Sequence, residues 1–197
     1  MIIACDVDGV VANLHTEWYR RYNRDWNDDL TIDRVLSWDL LKYVKPECGE
    51  AIFDYLQNDD LYRHVKPVDG ALEGVAELRA MGHTLTYVSD CFYGMVDQKA
   101  YWLQVHGFSQ ETDPRRGALP ADFMVCRDKT QVDAHLLIDD GAHNVRAWVE
   151  KKQRRAILVE FPHNRSLLDE VHSVFWTRCD RAATWPQILS SVKSLDR

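Results

Sequence analysis

Residues 1–10 read Met1-Ile-Ile-Ala-Cys-Asp6-Val-Asp8-Gly9-Val10, and this stretch decides the fold. Its apolar run predicts a buried β-strand that ends abruptly in two carboxylates, after which a glycine lets the backbone turn. Two like charges this close repel and each resists dehydration, so a fold places them together when a cation or a reaction needs them. A hard cation such as Mg²⁺ accepts oxygen ligands and offsets that repulsion. The simpler alternative is a strand that ends in a solvated Asx turn.

Three further predicted strands, the first recognised by alternation and the other two by short apolar runs, end in polar side chains that can take part in chemistry. They are residues 83–88 before Ser89-Asp90, residues 123–126 before Arg127-Asp128-Lys129-Thr130, and residues 134–138 before Asp139-Asp140-Gly141. In open α/β sheets, ligands bind in the crevice outside the carboxyl ends of the strands. In chain order these ends supply a nucleophile with a neighbouring acid or base, a hydroxyl donor, a cation and an acid pair suited to a metal.

Helical periodicity fills the gaps between these predicted strands. The apolar residues that recur at helical spacing are Ala71, Leu72, Val75, Leu78 and Met81; Val96, Ala100, Leu103 and Val105; Val145, Trp148 and Val149; and Pro186, Ile188, Leu189 and Val192. Residues 155–159 are a fifth strand candidate, and the polar, Gly- and Pro-containing residues 109–120 predict a surface loop. Strands that alternate with helices predict an α/β fold, with a Rossmann-like parallel sheet and helices on both faces.

Residues 13–64 interrupt this alternation, because they contain no convincing strand and several apolar sets at helical spacing, such as Leu14, Trp18 and Tyr22. They predict a small helical insertion into a core formed by residues 1–12 and 65–197. Most of its aromatic side chains are expected to form the insertion's own core. Trp38 is the expected exception, as an aromatic face that contacts a ligand.

Composition narrows the classes of partner. The chain has 197 residues, 24 basic and 31 acidic, and a formal charge of -7, with no long Lys/Arg run, so a nucleic-acid polymer is not the expected ligand. A small phosphate ester remains compatible if the pocket supplies local cations. No stretch approaches the ~20 apolar residues of a membrane span, and five scattered cysteines favour reduced thiols. We therefore expect a cytoplasmic protein without a membrane partner. The sequence does not decide between a monomer and a homodimer.

The order of the motifs resembles that of the haloacid dehalogenase (HAD) superfamily of phosphohydrolases. Residues 6–10 are similar to its first motif, Ser89 to its second, Lys129 to its third, and Asp139-Asp140 to its fourth. Within the superfamily, residues 66–71, 98–102, 127–130 and 136–140 are most similar to the 5'(3')-deoxyribonucleotidases. The resemblance covers nearly the whole chain and implies a HAD-like fold in which residues 13–64 are a small helical C1-type cap. Such a cap closes over the site and excludes water, and its side chains select the substrate.

The resemblance also implies a phosphomonoester hydrolase. Asp6 would be the nucleophile and form an aspartyl-phosphate, while Asp8 would protonate the leaving alkoxide and then activate the hydrolytic water. Ser89 and Lys129 would bind the phosphoryl oxygens, and N–H groups of the turn at Gly9 would add donors. The implied substrate is a (deoxy)nucleoside monophosphate, and Trp38 is the residue expected to stack on its base.

Mg²⁺ is the implied cofactor, held by the Asp6 carboxylate, the backbone carbonyl of Asp8 and an acid of the fourth motif. Asp140 is the preferred direct ligand, with Asp139 behind it. The sequence departs from the nucleotidases at Asp90, where they usually carry a small or apolar residue after the second-motif hydroxyl. This charge would repel the substrate unless it turns away or pairs with a cation.

Four alternatives share parts of this pattern. A phosphatase of another small metabolite, such as a sugar phosphate, would have the same chemistry and a different cap pocket. A non-catalytic protein that binds a phosphate ligand could use the same fold, although the catalytic set is intact. A haloacid dehalogenase needs neither Mg²⁺ nor an acid at Asp8. In a response-regulator receiver the lysine comes last, whereas here Lys129 precedes Asp139 and Asp140.

Overall fold

The fold is a doubly wound α/β sheet, seen in a computed structural model that describes residues 1–58, 60–109, 119–165 and 173–195. The strands are β1 Ile2–Asp6, β2 Thr84–Ser89, β3 Phe123–Val125, β4 Leu136–Asp139, β5 Arg155–Val159 and β6 Cys179–Ala182. The α-helices are α1 Leu14–Trp26, α2 Ala71–Ala80, α3 Val96–Val105, α4 Ala142–Ala147, α5 Ser173–Trp176 and α6 Trp185–Leu195.

The strands that the structure describes pair in parallel, in the order β3-β2-β1-β4-β5-β6. The parallel sheet predicted from the sequence is therefore confirmed. The sequence did not predict β6, a four-residue edge strand with half-buried Asp180 and Arg181 at its centre. Short polar edge strands lack a hydrophobic periodicity, so their pairing is decided by the neighbouring strand. Most of the predicted loop at 109–120 lies outside the described residues.

Helices cover both faces of the sheet, as predicted. Successive residues of β1 point to opposite faces, so Ile3 and Cys5 pack in one cluster with α2, α3 and α6, while Ala4 packs in another with α4. Because helices cover both faces, successive residues of a central strand such as β1 are buried on one side or the other. Strands of this kind therefore have nearly continuous apolar sequences. No described helix is both long and apolar enough to cross a membrane.

Residues 13–64 contain α1 followed by 3₁₀ segments, of which Gly49–Gln57 is nine residues long, and no strand occurs among those of them that the structure describes. The helical character was predicted correctly, and after α1 it is 3₁₀ rather than α-helical. The insertion has its own apolar cluster, which includes Trp18, Tyr19, Tyr22 and Ile52. Leu61 and Tyr62 pack instead with the main core. The division into a core and a separate cap at residues 13 and 64 stays a prediction.

The position of β1 between β2 and β4 brings the carboxyl ends of three strands together. β1 pairs with β2 on one side and β4 on the other, with Asp6 opposite Val88 and Cys5 opposite Ile138. The residues that follow, Ser89 and Asp139, therefore end beside Asp6. The loop after β1 is held in place by α6, because the indole N–H of Trp185 donates to the carbonyl of Val10 at 2.9 Å.

Candidate active site

Lys129 lies between two carboxylates at the carboxyl edge of the sheet. Its Nζ is 2.7 Å from Asp6 Oδ1 and 2.6 Å from Asp139 Oδ2, and Lys129 is only 3% exposed. Burial by itself would lower the pKa of Lys129, but Asp139 and Asp6 raise it above the usual lysine value. Lys129 is therefore a permanent cation that compensates two buried acids. This placement is the one expected if Lys129 restrains Asp6.

Asp6 itself is poorly hydrated, with 7% of its surface exposed. Burial raises the pKa of Asp6 to about 7, because Lys129 lowers it only in part and Asp139 raises it further. A further positive charge beside Asp6 is needed to keep the carboxylate ionised well below that pH.

The two acids of the fourth motif have different surroundings. Asp139 is saturated: besides Lys129 at Oδ2, its Oδ1 accepts from the N–H of Gly141 at 2.7 Å and from Asn144 Nδ2 at 3.3 Å. No described residue donates a hydrogen bond to the Asp140 carboxylate, which is 5% exposed. Burial, then the charges of Asp6 and Asp139, raise the pKa of Asp140 well above its usual value. The Asp140 carboxylate therefore has no hydrogen-bond or ion-pair partner among the described residues, and the charge of Lys129 offsets its own only in part.

Asp8 is held by two groups that sequence reasoning did not select. The hydroxyl of Tyr62 donates to Asp8 Oδ1, and Lys99 Nζ lies 2.5 Å from Asp8 Oδ2. Lys99 is 3% exposed and also donates to the Ser89 hydroxyl at 2.7 Å. Lys99 therefore links the acid of the first motif to the hydroxyl of the second. Its approach to the face of the Tyr62 ring, 5.7 Å from the centroid, adds a cation–π contact.

A signal for Lys99 was present in the sequence. Val96, Ala100 and Leu103 mark the apolar face of α3, and Lys99 lies three residues after the first and four before the last, on that same face. A charged residue on the buried face of a helix needs a buried partner. The partner, Asp8, is 91 residues away in the chain, so only the fold identifies it.

Gly9 is required by the backbone and by its neighbour. Its φ is +75°, which disfavours other residues, and a Cβ at this position would overlap the Asp140 carboxylate. The N–H of Gly9 donates to the carbonyl of Ala12 at 2.9 Å, so this donor is not available to a phosphate in this arrangement. The observed contribution of Gly9 is to admit Asp140 to the turn.

A cavity of about 370 Å³ opens beside Asp8 and Lys99. Its other lining residues are Leu14, Leu56, Tyr62, Asp90, Cys91, Phe92, Met95 and Arg127. Asp90 lies at the exposed margin, with Oδ2 3.6 Å from Arg127 Nε, and both side chains are mostly in solvent. The charge of Asp90 was expected to repel the substrate unless the side chain turns away or pairs with a cation. It pairs with Arg127, so the second condition is met. An exposed pair of this kind contributes little energy, so Arg127 remains able to reorient toward a ligand.

Trp38 lies on a different side of the site. Its ring, 45% exposed, meets His163 edge-on at 4.6 Å between centroids and His143 at 5.9 Å, and it does not line the cavity beside Asp8. The aromatic side chain that lines this cavity with an exposed face is Phe92, which is 52% exposed. Stacking of a base on Trp38 stays a prediction.

The acids present fit a hard divalent cation. Oxygen atoms of Asp6, Asp139 and Asp140 lie within 4.8 Å of one another. Burial, followed by the charges of neighbouring carboxylates, raises the pKa values of Asp6 and Asp140. Lys129 contacts Asp6 and Asp139 but not Asp140, so a cation at this point would offset charge that Lys129 does not pair with directly. An all-oxygen, buried and acidic donor set is typical of Mg²⁺ sites.

Comparison with protein families agrees with this geometry. The sequence profile of a family described as "5' nucleotidase, deoxy (Pyrimidine), cytosolic type C protein" matches residues 1–189. The 5'(3')-deoxyribonucleotidase of Clostridium acetobutylicum is 28% identical over 193 residues, which cover 98% of this chain and 95% of that protein. The 5'(3')-deoxyribonucleotidase of Bacillus subtilis is 26% identical over 183 residues, which cover 91% and 96%.

HAD hydrolases are among the solved structures with a similar fold. A HAD family hydrolase from Deinococcus radiodurans, solved with bound phosphate and sodium, has a TM-score of 0.57 at 15% identity, covering 98% of this chain and 95% of that one. A haloacid dehalogenase-like hydrolase from Xanthomonas campestris has a TM-score of 0.60 at 12% identity, covering 100% and 96%. At these identities the likeness is one of fold, and it confirms the HAD-like architecture.

Proposed function

The chain belongs to the family of cytosolic type C 5'-nucleotidases and is a phosphatase of that kind, and from this premise we propose that it hydrolyses deoxyribonucleoside monophosphates through an aspartyl-phosphate on Asp6. The observation that carries the proposal is the contact of Lys129 with both Asp6 and Asp139, deep in the carboxyl edge of the sheet. It holds Asp6 in one orientation, as a nucleophile requires, in a site largely closed to water.

In the proposed first step, an oxygen of Asp6 attacks phosphorus and the bond from phosphorus to the leaving alkoxide breaks. Asp8 gives its proton to that alkoxide. In the second step, Asp8 takes a proton from water, which attacks the phosphorus of the acyl phosphate, so that inorganic phosphate leaves and the Asp6 carboxylate is restored. Both oxygens of Asp8 are engaged, by Tyr62 and Lys99, so one of these contacts has to be exchanged during the transfer.

The phosphoryl oxygens need cationic or hydrogen-bonding partners, because a phosphate dianion repels a carboxylate nucleophile. We assign this role to Lys129 and Ser89, with Lys99 fixing the positions of both Ser89 and Asp8. Mg²⁺ would be held by Asp6, the Asp8 carbonyl and Asp140, and would supply charge neutralisation at the phosphate. The free oxygens of Asp140, set against the saturated carboxylate of Asp139, support Asp140 as the direct ligand.

Replacement of the two acids tests the metal assignment. Asp140→Asn should raise the half-saturating Mg²⁺ concentration by on the order of 10-fold or more, because a charged ligand is lost, and Asp139→Asn should raise it less. The measurement is direct Mg²⁺ binding to each purified variant, since binding is independent of turnover. Asp133→Asn, at a side chain that is 91% exposed, is the matched control. A larger rise for Asp139→Asn than for Asp140→Asn would reverse the assignment.

Replacement of Lys99 tests the link between the first and second motifs. Lys99→Met should lower kcat/KM for a phosphate ester by about 10²- to 10³-fold, because Asp8 and Ser89 lose the group that positions both. Lys42→Met, at a side chain that is 65% exposed, should leave kcat/KM unchanged. Steady-state kinetics with a generic aryl phosphate provide the measurement. Wild-type kcat/KM in a folded Lys99→Met variant would remove Lys99 from the proposed machinery.

Replacement of two aromatic residues tests the substrate assignment. If Trp38 stacks on the base, Trp38→Ala should raise KM for a deoxynucleoside monophosphate by the value of a lost stack, about 1–3 kcal/mol, and leave turnover of an aryl phosphate nearly unchanged. Phe92→Ala is the matched comparison, because Phe92 lines the cavity beside Asp8. If only Phe92→Ala raises KM, the Trp38 assignment is wrong.

A comparison of substrates tests the nucleotidase proposal itself. If kcat/KM for sugar phosphates exceeds that for every nucleotide tested, the nucleotidase proposal fails and a general metabolite phosphatase replaces it.

A further inference from the structure

Two buried histidines approach Asp140, and neither has a role in the chemistry described above. His15 comes from α1 and is 9% exposed, and His163 comes from the 3₁₀ turn after β5 and is 2% exposed. One ring nitrogen of each and one carboxylate oxygen of Asp140 lie within 4.8 Å of one another. Asp6, Asp139 and Asp140 form the other group of side chains whose ligand atoms lie this close together, so Asp140 belongs to both groups.

His163 has a buried ring nitrogen, Nε2, without a hydrogen-bond partner among the described residues. A buried ring nitrogen without a partner costs free energy, which a ligand at that nitrogen would recover. Burial also lowers the pKa values of both histidines to about 4, so the rings are neutral at neutral pH and keep a lone pair for coordination.

The surroundings restrict the rings to one region. Phe161 stacks on His163 with centroids 5.4 Å apart and an interplanar angle of 7°, and Trp38 covers it edge-on. The centroids of the His15 and His163 rings are 5.5 Å apart. Donor atoms about 2.0–2.2 Å from a common ion are separated by at most about 4.4 Å, so small side-chain rotations suffice to close the set. An aromatic wall around such a site limits access of water and strengthens ligation.

From this arrangement we propose that His15, His163 and Asp140 form a second metal site, for a divalent transition-metal ion that accepts imidazole, with Asp140 shared between it and the magnesium site. Imidazole nitrogen favours ions such as Zn²⁺, whereas the all-carboxylate group favours Mg²⁺, so the two sites differ in selectivity. A cation at this second site also adds positive charge beside the buried Asp140 carboxylate. The proposal rests on the position of Asp140 in the proposed function, but it concerns binding and not turnover.

Zn²⁺ binding in a millimolar excess of Mg²⁺ tests the proposal on the full-length protein. The wild type should bind one equivalent of Zn²⁺ under these conditions, measured by calorimetry or by competition with a chromophoric chelator. His15→Gln and His163→Gln should each weaken Zn²⁺ binding by about 10- to 100-fold or more, because each removes a donor. His64→Gln, at a side chain that is 55% exposed, is the matched control and should bind Zn²⁺ as the wild type does.

Thermal unfolding provides a second measurement, which distinguishes loss of the Zn²⁺ site from poor folding of a variant. Zn²⁺ should raise the Tm of the wild type in excess Mg²⁺, since a ligand that binds only the native state stabilises it, and should not raise the Tm of His15→Gln. Equal Zn²⁺ affinity in the wild type and both histidine variants overturns the proposal, as does a wild type that binds no Zn²⁺ in excess Mg²⁺. A protein that binds Zn²⁺ through these histidines but hydrolyses no nucleotide refutes only the proposed function. A nucleotidase that binds no Zn²⁺ refutes only this inference.

Discussion

Asp6→Asn is expected to lower kcat for phosphate esters by on the order of 10⁴-fold or more, because a neutral amide cannot act as the nucleophile. The substitution keeps the size of the side chain, so the variant should remain folded, with Lys129 still paired to Asp139. The measurement is steady-state turnover of an aryl phosphate and of a deoxynucleoside monophosphate, in saturating Mg²⁺ and again in excess EDTA.

Asp133→Asn is the matched control, because it makes the same chemical change at an exposed surface pair with Arg154. It should retain wild-type kcat and the same dependence on Mg²⁺. Near wild-type turnover by Asp6→Asn would refute the covalent mechanism. Full activity of the wild type in excess EDTA would refute the metal assignment and leave the nucleophile untouched, so the two parts of the mechanism fail separately.

Lys129→Met should have the largest combined effect on activity and stability. It leaves two buried carboxylates without their cation, and breaking a buried pair by removing one partner costs about 3–5 kcal/mol of folding free energy. Turnover should also be lost, because the group that restrains Asp6 is gone. Denaturant unfolding monitored by circular dichroism measures the first effect, and aryl phosphate hydrolysis the second.

The loss of stability in Lys129→Met should depend on pH in a direction that the pKa of Asp6 sets. Lys129 lowers the pKa of Asp6, which is nevertheless raised to about 7, so its removal raises that pKa further. A carboxyl whose pKa is higher in the folded than in the unfolded state loses stability as the pH rises through the folded value. The variant should therefore be closer to the wild type at pH 5.5 than at pH 8.

A surface replacement and a compensating one complete the test of Lys129. Lys193→Met, at a half-exposed pair with Glu77, should change the free energy of unfolding by no more than about 0.5 kcal/mol. Lys129→Met combined with Asp139→Asn should recover part of the stability but none of the activity, because one uncompensated charge is removed while Asp6 stays unrestrained. An equal loss of stability at both pH values would contradict the electrostatic explanation.

Much of the fold was predictable from local patterns. The buried strands β1, β4 and β5 have nearly continuous apolar sequences, β2 alternates between polar and apolar residues, and the helices between them keep an apolar face, so both types of element follow from local patterns. The sheet order could not be read in this way, because pairing depends on contacts between residues distant in the chain. The edge strand β6 was missed for the same reason: Asp180 and Arg181 interrupt any apolar pattern, and β5 supplies the pairing.

The sequence by itself determined which chemical groups are available: Asp6, Asp8, Ser89, Lys129 and the pair Asp139-Asp140 each follow a predicted strand, and parallel strands bring their carboxyl ends to one edge. Only the tertiary structure decided the partners. The contacts of Lys99 with Asp8 and of Lys129 with Asp6, and the approach of His15 to His163, join segments far apart in the chain. Such contacts arise from packing of whole elements, which has no periodicity for a sequence pattern to reveal.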